Sequence, residues 1–296
     1  MDHRFDRRTL MTATAAGALA GLAPGSSRPR VKLKKALKYG MIGEGKTPLE
    51  KFELVKSLGF QGVEPDSPSG LDVDEVVEAA EQTGIEIPGV VDSVHWGKPF
   101  SHPDPMVRAE GVAALETALR DCKRYGGTSV LVVPAVVNAG VSYADAYRRS
   151  QEELRKCIPL AEELGIDIAF ENVWNNFLLS PLEAARYVDE FESERVGFHF
   201  DVGNIVYYGW PAHWIEALGK RILKLDIKDY SRKKLNDEGR WKGFGVQIGE
   251  GDSDWPAVMR ALEKIGYSGW ATAEVGGGDR ERLAQISANM DKVFAS

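Results

Sequence analysis

The chain has 296 residues, of which 43% are hydrophobic and 27% are charged. These fractions are close to the averages of water-soluble globular proteins and, with only two cysteines present, exclude a disordered, collagen-like or disulfide-dense chain. The formal net charge is −7, from 37 basic and 44 acidic side chains. Because binding to nucleic acid draws on an excess of basic residues, nucleic acid is not expected as a partner.

The first residues of the chain have the composition of an export signal. Arg4, Arg7 and Arg8 precede a run of small and apolar residues at positions 10–23, which is too short to span a bilayer as a helix. The Arg7-Arg8 pair resembles the twin-arginine signal, which directs folded proteins across the bacterial inner membrane. We therefore predict an exported, periplasmic protein. The alternative is an alanine-rich N-terminal helix with incidental arginines.

Three segments are expected along the chain: a signal peptide at residues 1–27, a linker at 28–36 and one folded domain at 37–296. After the signal, no window approaches the ~20 consecutive apolar residues of a membrane-spanning helix, so no stable membrane insertion is expected. Cys122 and Cys157 both fall in predicted helices, and we expect them to be buried free thiols and not a disulfide.

Short apolar or β-branched runs alternate with amphipathic helical patterns along the folded domain. Thr47-Pro48-Leu49-Glu50 and Ser180-Pro181-Leu182-Glu183 have the residues of helix N-termini. Eight such β-then-α units in about 250 residues predict an α/β fold, a single-domain (β/α)8 TIM barrel. A doubly wound open sheet is the alternative, but residues 40–45 lack the glycine spacing of its phosphate-binding loop. The predicted strands are residues 39–42, 62–64, 87–92, 129–133, 167–171, 196–201, 222–227 and 270–275.

Carboxylates end or follow most of the predicted strands. The carboxyl ends of barrel strands meet on one face, where the active sites of TIM barrels lie, so these side chains should converge. Like charges in one cleft repel one another unless a cation lies among them, and a bound divalent metal is therefore expected. Any single one of them would more commonly cap a helix or pair with an arginine. These residues are Glu64, Asp92, Glu171, Asp201, Asp226, Asp229 and Glu274.

The most specific motifs also lie at strand ends. They are Phe170-Glu171-Asn172, His199-Phe200-Asp201-Val202-Gly203-Asn204, Leu225-Asp226-Ile227-Lys228-Asp229, Gly249-Glu250-Gly251-Asp252-Ser253-Asp254-Trp255 and Ala273-Glu274. In combination these motifs resemble the xylose isomerase-like TIM barrels, a group with ketose 3-epimerases, hydroxypyruvate isomerases, sugar-phosphate isomerases and inosose dehydratases. The resemblance extends from about Leu37 to the C-terminus and implies an isomerase that acts on a small carbohydrate.

The resemblance also implies a set of metal ligands. In ketose 3-epimerases the metal is held by a glutamate, an aspartate, a histidine and a glutamate on strands five to eight. Matched motif by motif, the first, second and fourth ligands are Glu171, Asp201 and Glu274. At the third position this chain has Asp226 in place of the histidine, and Arg232 matches the substrate-binding arginine that follows six residues later.

An all-oxygen ligand set of Glu171, Asp201, Asp226 and Glu274 would favour Mn²⁺ or Mg²⁺, with Co²⁺ or Zn²⁺ as the softer alternatives. The alternative reading is a barrel without metal, in which Lys224 or Lys228 neutralises Asp226. The chain would then be an exported carbohydrate-binding protein or an inactive homologue.

The chemistry that the resemblance implies is proton removal next to a carbonyl, which leaves an enediolate. A metal stabilises the developing charge, and Glu171 and Glu274 act as base and acid. Return of the proton to the opposite face gives epimerisation and to the neighbouring carbon gives isomerisation, whereas loss of a β leaving group gives elimination by a lyase. Because sugar phosphates are cytoplasmic metabolites, export favours an unphosphorylated keto-sugar, cyclitol or keto-glycoside.

Further residues are assigned to substrate binding. Asn204 stands where the epimerases have a substrate-binding histidine. His95 precedes Trp96 in a loop that either binds sugar or forms a lid. His199 is interpreted as a structural residue of the barrel interior. The aromatic residues 207–210 would cover the site or pack a homodimer, and the polar residues 233–242 form a solvated loop or extend over the substrate. The full set of predicted substrate-binding residues is Glu64, His95, Trp174, Asn204, Lys228 and Arg232.

Overall fold

The computed structural model describes residues 31–296, so the predicted signal and the start of the predicted linker lie outside the described residues. Residues 31–296 form nine parallel strand segments in one sheet, in the spatial order β2-β1-β9-β8-β7-β6-β5-β4-β3. The strands are β1 (Leu33–Lys38), β2 (Gly62–Glu64), β3 (Asp66–Ser67), β4 (Gly89–Asp92), β5 (Ser129–Val132), β6 (Asp167–Glu171), β7 (Val196–Asp201), β8 (Ile222–Ile227) and β9 (Gly269–Ala273).

The sheet closes because its two outer members are halves of one strand. β2 and β3 are separated in sequence only by Pro65, and they pair with β1 on one side and with β4 on the other. Counting them together gives eight barrel positions with helices between the strands. The predicted fold, a single-domain (β/α)8 TIM barrel, is confirmed.

The helices between the strands begin and end where local sequence signals favour it. The Thr47 side chain accepts a hydrogen bond from the Glu50 amide, and Ser180 accepts one from Glu183, both at 3.2 Å, as the capping motifs predict. The helices are α1 (Pro48–Ser57), α2 (Val73–Thr83), α3 (Pro105–Arg124), α4 (Tyr143–Leu154), α5 (Ile158–Leu164), α6 (Pro181–Asp189), α7 (Val202–Val206), α8 (Pro211–Leu218), α9 (Arg232–Glu238), α10 (Trp255–Ile265) and α11 (Arg280–Phe294).

The first strand differs from its prediction. β1 occupies Leu33–Lys38, so its first four residues fall in the segment assigned to a linker, and the predicted strand 39–42 is a short 3-10 turn at Tyr39–Met41 followed by Ile42. The local pattern of apolar residues does not predict β1, because lysines interrupt the apolar run in this strand. Lys34 stacks over the Trp270 ring at 4.8 Å, and Lys35 donates to Ser287 at 2.8 Å. These partners are far away in sequence, so the barrel begins four residues before the predicted boundary at Leu37.

Successive side chains along each strand point alternately outward, into the apolar layer between sheet and helices, and inward, into the polar interior of the barrel. On β7, the Phe200 ring lies 6.5 Å from that of Trp214 on α8, outside the barrel. Its neighbours His199 and Asp201 point the other way and are buried. The apolar side chains therefore bind the helices to the sheet, while charged side chains line the inside of the barrel.

The two cysteines do not form a disulfide. Cys122 and Cys157 are free and buried, as expected, and burial raises the pKa of each thiol to about 12. Within residues 31–296, the helices fall short of the length and apolar character that a membrane span requires.

Candidate active site

The carboxyl ends of the strands surround a cavity of about 570 Å³. Four carboxylates meet at its base. Glu171, which ends β6, and Glu274, which directly follows β9, line the cavity. Asp201, at the end of β7, and Asp226, in β8, lie behind them and are fully buried. One oxygen from each lies within 4.8 Å of the corresponding oxygens of the other three. We call these four residues the carboxylate floor. The structure thus brings together the four residues that the motifs assign to a metal.

A lysine lies among these carboxylates. The Lys228 ammonium is 2.8 Å from Asp201 Oδ2 and also contacts Glu274 Oε2. Burial acts to lower the pKa of Lys228, but the charges of Asp201 and Glu274 outweigh it and hold the pKa well above the usual value. Lys228 is therefore a fixed cation in the site, and it lines the cavity as the sequence predicts.

The partner of Asp226 is a different lysine from those that the sequence suggests. Within residues 31–296, the ion pairs of Asp226 involve neither Lys224 nor Lys228. Its Oδ1 lies 2.9 Å from Lys38 Nζ and 3.0 Å from His199 Nε2. Lys38 ends β1, and its position at a strand end could have identified it once that strand was correctly placed.

Glu64 completes the ionic network beneath the floor. Its Oε2 lies 2.9 Å from Lys38 Nζ, and its Oε1 lies 3.8 Å from Lys224 Nζ. Lys224 also donates a hydrogen bond to the carbonyl of Pro88. Glu64 is buried and fully engaged with lysines, so it supports the floor from below and does not line the cavity.

The connected network is short of positive charge. It contains five carboxylates and three ammonium groups, which leaves two negative charges in excess when every carboxylate is ionised and His199 is neutral. Asp226 Oδ2 is buried and has no hydrogen-bond or ion-pair partner among the residues that the structure describes, while Asp201 Oδ2 and Asp226 Oδ1 are buried and contact only the lysine and histidine groups named above. A divalent cation would balance the charge and satisfy these oxygens, so the residues present fit a hard metal ion. The network comprises Glu64, Glu171, Asp201, Asp226, Glu274, Lys38, Lys224 and Lys228.

The pKa values reflect this shortage of positive charge. Burial, followed by the charges of Glu274 and Asp226, raises the pKa of Glu171 well above its ordinary value. Burial likewise raises the pKa of Asp201 to about 7, although Lys228 opposes the shift. For Asp226 the effect of burial is outweighed by His199 and Lys38, which hold its pKa below the usual value.

Asn172 and Asn204 position the two central carboxylates. Asn204 donates its backbone amide to Asp201 Oδ1 at 2.7 Å, which makes Asp201 the N-cap of α7. Its side-chain amide donates to Glu171 Oε1 at 3.3 Å and to the Asn172 carbonyl at 2.9 Å. Asn172 in turn donates to the Asp201 carbonyl at 2.7 Å. Asn204 also lines the cavity, so it can contact a ligand as predicted.

Of the predicted substrate-binding residues His95 and Trp174, Trp174 lies at the cavity and His95 lies behind it. Trp174 lines the cavity, together with Trp96. His95 is only 5% exposed, and its Nδ1 accepts a hydrogen bond from the Val133 amide at 3.3 Å. Burial and the nearby Lys38 lower the pKa of His95 to about 4, so the ring is neutral. Its role is therefore to support the loop that carries Trp96.

Arg232 also lies elsewhere than expected. Its guanidinium donates to the carbonyls of Val206 and Gly209, at 3.1 Å and 2.6 Å, and stacks over Trp210 at 5.2 Å. It is not among the residues that line the cavity. Because its donors are used by the segment after α7, Arg232 holds that segment in place instead of contacting a ligand.

Asp229 is one of the strand-end carboxylates expected to converge, but neither the predicted metal ligands nor the predicted substrate-binding residues include it. Its buried carboxylate accepts hydrogen bonds from the amides of Gly249 and Gly251, from the amide and hydroxyl of Ser253, and from Trp255 Nε1, at 2.6–3.2 Å. It thereby fixes the loop between β8 and α10 against the cavity. The glycine- and serine-rich motif at 249–255 is the sequence signal for this loop, since it supplies the donors.

The N-terminus of α11 lies beside the cavity, where TIM barrels often bind phosphate. Here it is capped by carboxylates of the chain itself. Glu44 accepts from the Arg280 amide and Asp279 accepts from the Arg282 amide, both at 3.0 Å. The Arg282 side chain lines the cavity but donates to the Gly276 carbonyl at 3.0 Å and to Gln247. Both helix amides, and the Nε and Nη1 groups of Arg282, therefore already have acceptors.

The chain resembles known proteins over most of its length. The L-ribulose-5-phosphate 3-epimerase UlaE of Escherichia coli O1:K1 is 24% identical over 237 residues, covering 76% of this chain and 81% of the relative. The Escherichia fergusonii enzyme of the same name matches with the same identity and coverage. These named activities are epimerisations, and epimerases are isomerases, the enzyme class that the sequence predicts.

Solved structures share the fold. The 3-keto-D-glucoside 4-epimerase YcjR from E. coli has a TM-score of 0.74 at 18% identity, covering 90% of this chain and 100% of that chain. An L-ribulose 3-epimerase has a TM-score of 0.73 at 15% identity, with coverages of 89% and 95%. The sequence profile that describes xylose isomerase-like TIM barrels matches residues 52–293. The chain therefore belongs to the xylose isomerase-like TIM barrel family.

Proposed function

We propose that this protein is a divalent-metal-dependent sugar epimerase that acts on an unphosphorylated keto-sugar or sugar derivative. The observation that carries the proposal is the carboxylate floor, in which four carboxylate oxygens lie within 4.8 Å of one another. The excess of two negative charges in the surrounding network supports a dication. The epimerase activity named for the relatives supports the reaction class.

The cation would be held by Glu171, Asp201, Asp226 and Glu274, with Mn²⁺ or Mg²⁺ favoured by the all-oxygen set. When bound, it supplies Lewis-acid stabilisation of the charge that develops on the substrate oxygens. Glu171 and Glu274 both line the cavity, so both can reach a carbon next to the substrate carbonyl. One would remove the proton and the other would return it to the opposite face.

The capped N-terminus of α11 supports an unphosphorylated substrate. A phosphate there would meet the carboxylates of Glu44 and Asp279, which already accept from the helix amides. Like charges repel, and the amides cannot serve both acceptors. We therefore infer that this chain differs in substrate from the relatives named for L-ribulose-5-phosphate.

The function is tested by proton exchange with solvent. The metal-loaded protein is incubated in D₂O with a panel of keto-sugars, each in its free and phosphorylated form. NMR should show loss of the proton next to the carbonyl and appearance of the epimer, with the free form preferred. The matched control is Glu171→Gln, which keeps the shape of the side chain and should not exchange. Absence of exchange for every sugar, or an unsaturated product, would contradict epimerisation, and preference for the phosphorylated form would contradict the inferred substrate.

Export through the twin-arginine pathway is a separate part of the proposal, and it rests on the sequence of residues 1–27. Replacing Arg7 and Arg8 with lysine in the full chain should retain the protein in the cytoplasm, because the pathway reads the arginine pair. Cell fractionation of a bacterial host measures this. Equal periplasmic amounts of the two versions would count against the signal.

A further inference from the structure

One side of the cavity carries aromatic rings that proton transfer does not require. Trp174, Trp241 and Phe244 line it together, and we call them the aromatic wall. The rings of Trp174 and Phe244 have centroids 4.9 Å apart, and those of Trp174 and Trp241 are also 4.9 Å apart. The Arg240 guanidinium lies over Trp241 at 4.9 Å and over Trp174 at 5.5 Å. The three rings therefore form one continuous packed surface.

The wall begins at the carboxylate floor and extends outward. Lys228 Nζ, which contacts two carboxylates of the floor, lies 5.6 Å from the Phe244 ring centroid. From there the rings lead through Trp174 to Trp241, which is 65% exposed. The inner end of the wall is thus within reach of a sugar bound at the floor. Its outer end is one or two rings further away.

A second exposed tryptophan stands on the other side of the cavity. Trp96 lies in the loop after β4 and is 52% exposed, while Trp241 lies in the loop after β8. In the closed barrel these two strands are four positions apart among eight, which places them on opposite sides. Both residues line the cavity. The mouth of the cavity is therefore flanked by two indole rings.

Exposed indoles at the rim of a polar cavity are typical of ligand contact, because each buries a large apolar area when a flat ring stacks on it. The volume of about 570 Å³ lies within the range of about 300–1,000 Å³ that holds drug-sized ligands. A single sugar ring at the floor would occupy the inner end of the wall, whereas Trp96 and Trp241 remain exposed at the rim, available to a second ring.

We propose that the substrate is a keto-glycoside, with the reacting sugar, which carries the ketone, at the carboxylate floor and a second ring stacked between Trp241 and Trp96. The second ring is joined through the glycosidic oxygen and presents a flat apolar face, either the C–H face of a pyranose or an aryl group. The bond to this ring stays intact, because the reaction only inverts one carbon of the inner sugar. The identity of the inner sugar rests on the proposed function, whereas the stacking site rests on the wall.

Binding to the whole protein tests this proposal without catalysis. Titration calorimetry compares methyl, phenyl and glucosyl β-glycosides of glucose and of galactose, so that only the second ring changes. We expect the phenyl or the glucosyl ligand to bind at least about tenfold more tightly than the methyl ligand. A stronger effect for glucosyl identifies the second ring as a sugar, and a stronger effect for phenyl identifies it as an aryl group. Equal affinities, or no binding by any ligand, would overturn the proposal.

Variants separate stacking from other effects. Trp241→Ala and Trp96→Ala should each reduce the preference for two-ring ligands toward unity and leave the methyl glycoside unaffected. The matched control is Trp210→Ala, because Trp210 is exposed at 59% but does not line the cavity. If Trp241→Ala instead changes the oligomeric state on gel filtration and leaves the preference intact, the wall is a contact between copies of the chain and the proposal is wrong.

The two proposals fail in different ways. If the wild-type protein prefers two-ring ligands but exchanges no proton with D₂O, the stacking site stands and the proposed reaction is wrong. If the protein epimerises methyl keto-glycosides and two-ring keto-glycosides with the same KM, the proposed reaction stands and the stacking site is wrong. In Glu171→Gln the preference for two-ring ligands should remain although exchange is abolished.

Discussion

At the scale of single residues, burial affects the carboxylates of the floor differently because their neighbours differ. Glu171 lies close to Glu274 and Asp226, and its pKa is raised well above the ordinary value. Asp226 lies against His199 and Lys38, and its pKa is lowered. Chemically similar groups thus differ in charge state because of what they contact, and substitutions at each should have different consequences.

Substitution of the two glutamates should abolish turnover. Glu171→Gln and Glu274→Gln each remove a proton-transfer group and one negative charge at the metal, so we expect kcat to fall by a factor of about 10³ or more. Asp201→Asn should mainly weaken Mn²⁺ affinity, since it removes the charge of a proposed ligand without removing a proposed acid or base. Steady-state kinetics and Mn²⁺ titration separate the two effects. Near-full turnover in either glutamine variant would refute the acid and base assignment.

Asp226 and Lys38 should have opposite effects on metal affinity. Asp226→Ala removes a proposed ligand and should weaken Mn²⁺ binding about as much as Asp201→Ala. Lys38→Met removes a positive charge 2.9 Å from Asp226 Oδ1 and should strengthen it. Calorimetric titration measures both, with Lys34→Met as the control because Lys34 pairs with Glu86 outside the site. Unchanged affinity in Asp226→Ala would reduce the protein ligands to three.

Asp92 should make stability depend on pH. Burial raises its pKa from 3.8 to about 7, and its Oδ2 accepts no hydrogen bond from residues 31–296. The folded state therefore binds this proton more tightly than the unfolded state, and the stability that it contributes is present below pH 3.8 and is lost as the pH rises through 7. The loss is about 1.4 kcal/mol per pH unit between these values.

Asp92→Asn should remove this dependence, because an amide keeps the shape of the side chain without the charge. The free energy of unfolding in urea should match that of the wild type near pH 4 and exceed it at pH 8. Asp237→Asn, at an exposed site on α9, is the control and should follow the wild type. A parallel pH profile for Asp92→Asn and the wild type would show that this carboxyl does not titrate with the raised value.

At the scale of secondary-structure elements, the loop after β8 depends on Asp229. Its carboxylate accepts from donors at residues 249, 251, 253 and 255. Asp229→Asn leaves one acceptor oxygen and adds a donor that faces other donors. We expect the free energy of unfolding to fall by about 3 kcal/mol or more, against about 0.5 kcal/mol or less for Asp237→Asn. Urea titration measures both free energies of unfolding. Equal losses in the two variants would show that the loop is stable without the Asp229 carboxylate.

Seven of the eight predicted strands are found within two residues of their predicted bounds, because β-branched runs between capped helices are local signals. β1 is the exception, since Lys34 and Lys35 have their partners on β9, in the loop between α2 and β4, and on α11. The same limit applies to the site. The strand-end carboxylates could be predicted from motifs, whereas the pairing of Lys38 with Asp226 and the position of Arg232 depend on contacts between distant segments.

At the scale of the whole molecule, metal binding should stabilise the fold. A ligand that binds only the folded state at about 100 times its Kd contributes about 2.7 kcal/mol. For a chain of this size we expect an increase in Tm of about 5–10 °C with Mn²⁺, reversed by a chelator. Scanning calorimetry measures the shift, and the Asp201→Asn variant should show less of it. An unchanged Tm would contradict a metal-dependent enzyme.

The ion pair between Lys38 and Asp226 couples the residue types that are favourable at these two positions, which lie on different strands. A histidine at position 226, as in ketose 3-epimerases, would remove one negative charge and leave Lys38 next to a neutral ring. When the imidazole at this position is replaced by a carboxylate, a positively charged residue at the end of the first strand becomes favourable. Among related sequences we therefore expect the two positions to covary, with an acid at one accompanied by a lysine or arginine at the other. A change of metal ligand at position 226 would then be accompanied by a change at position 38, although the residue at position 38 does not bind the metal.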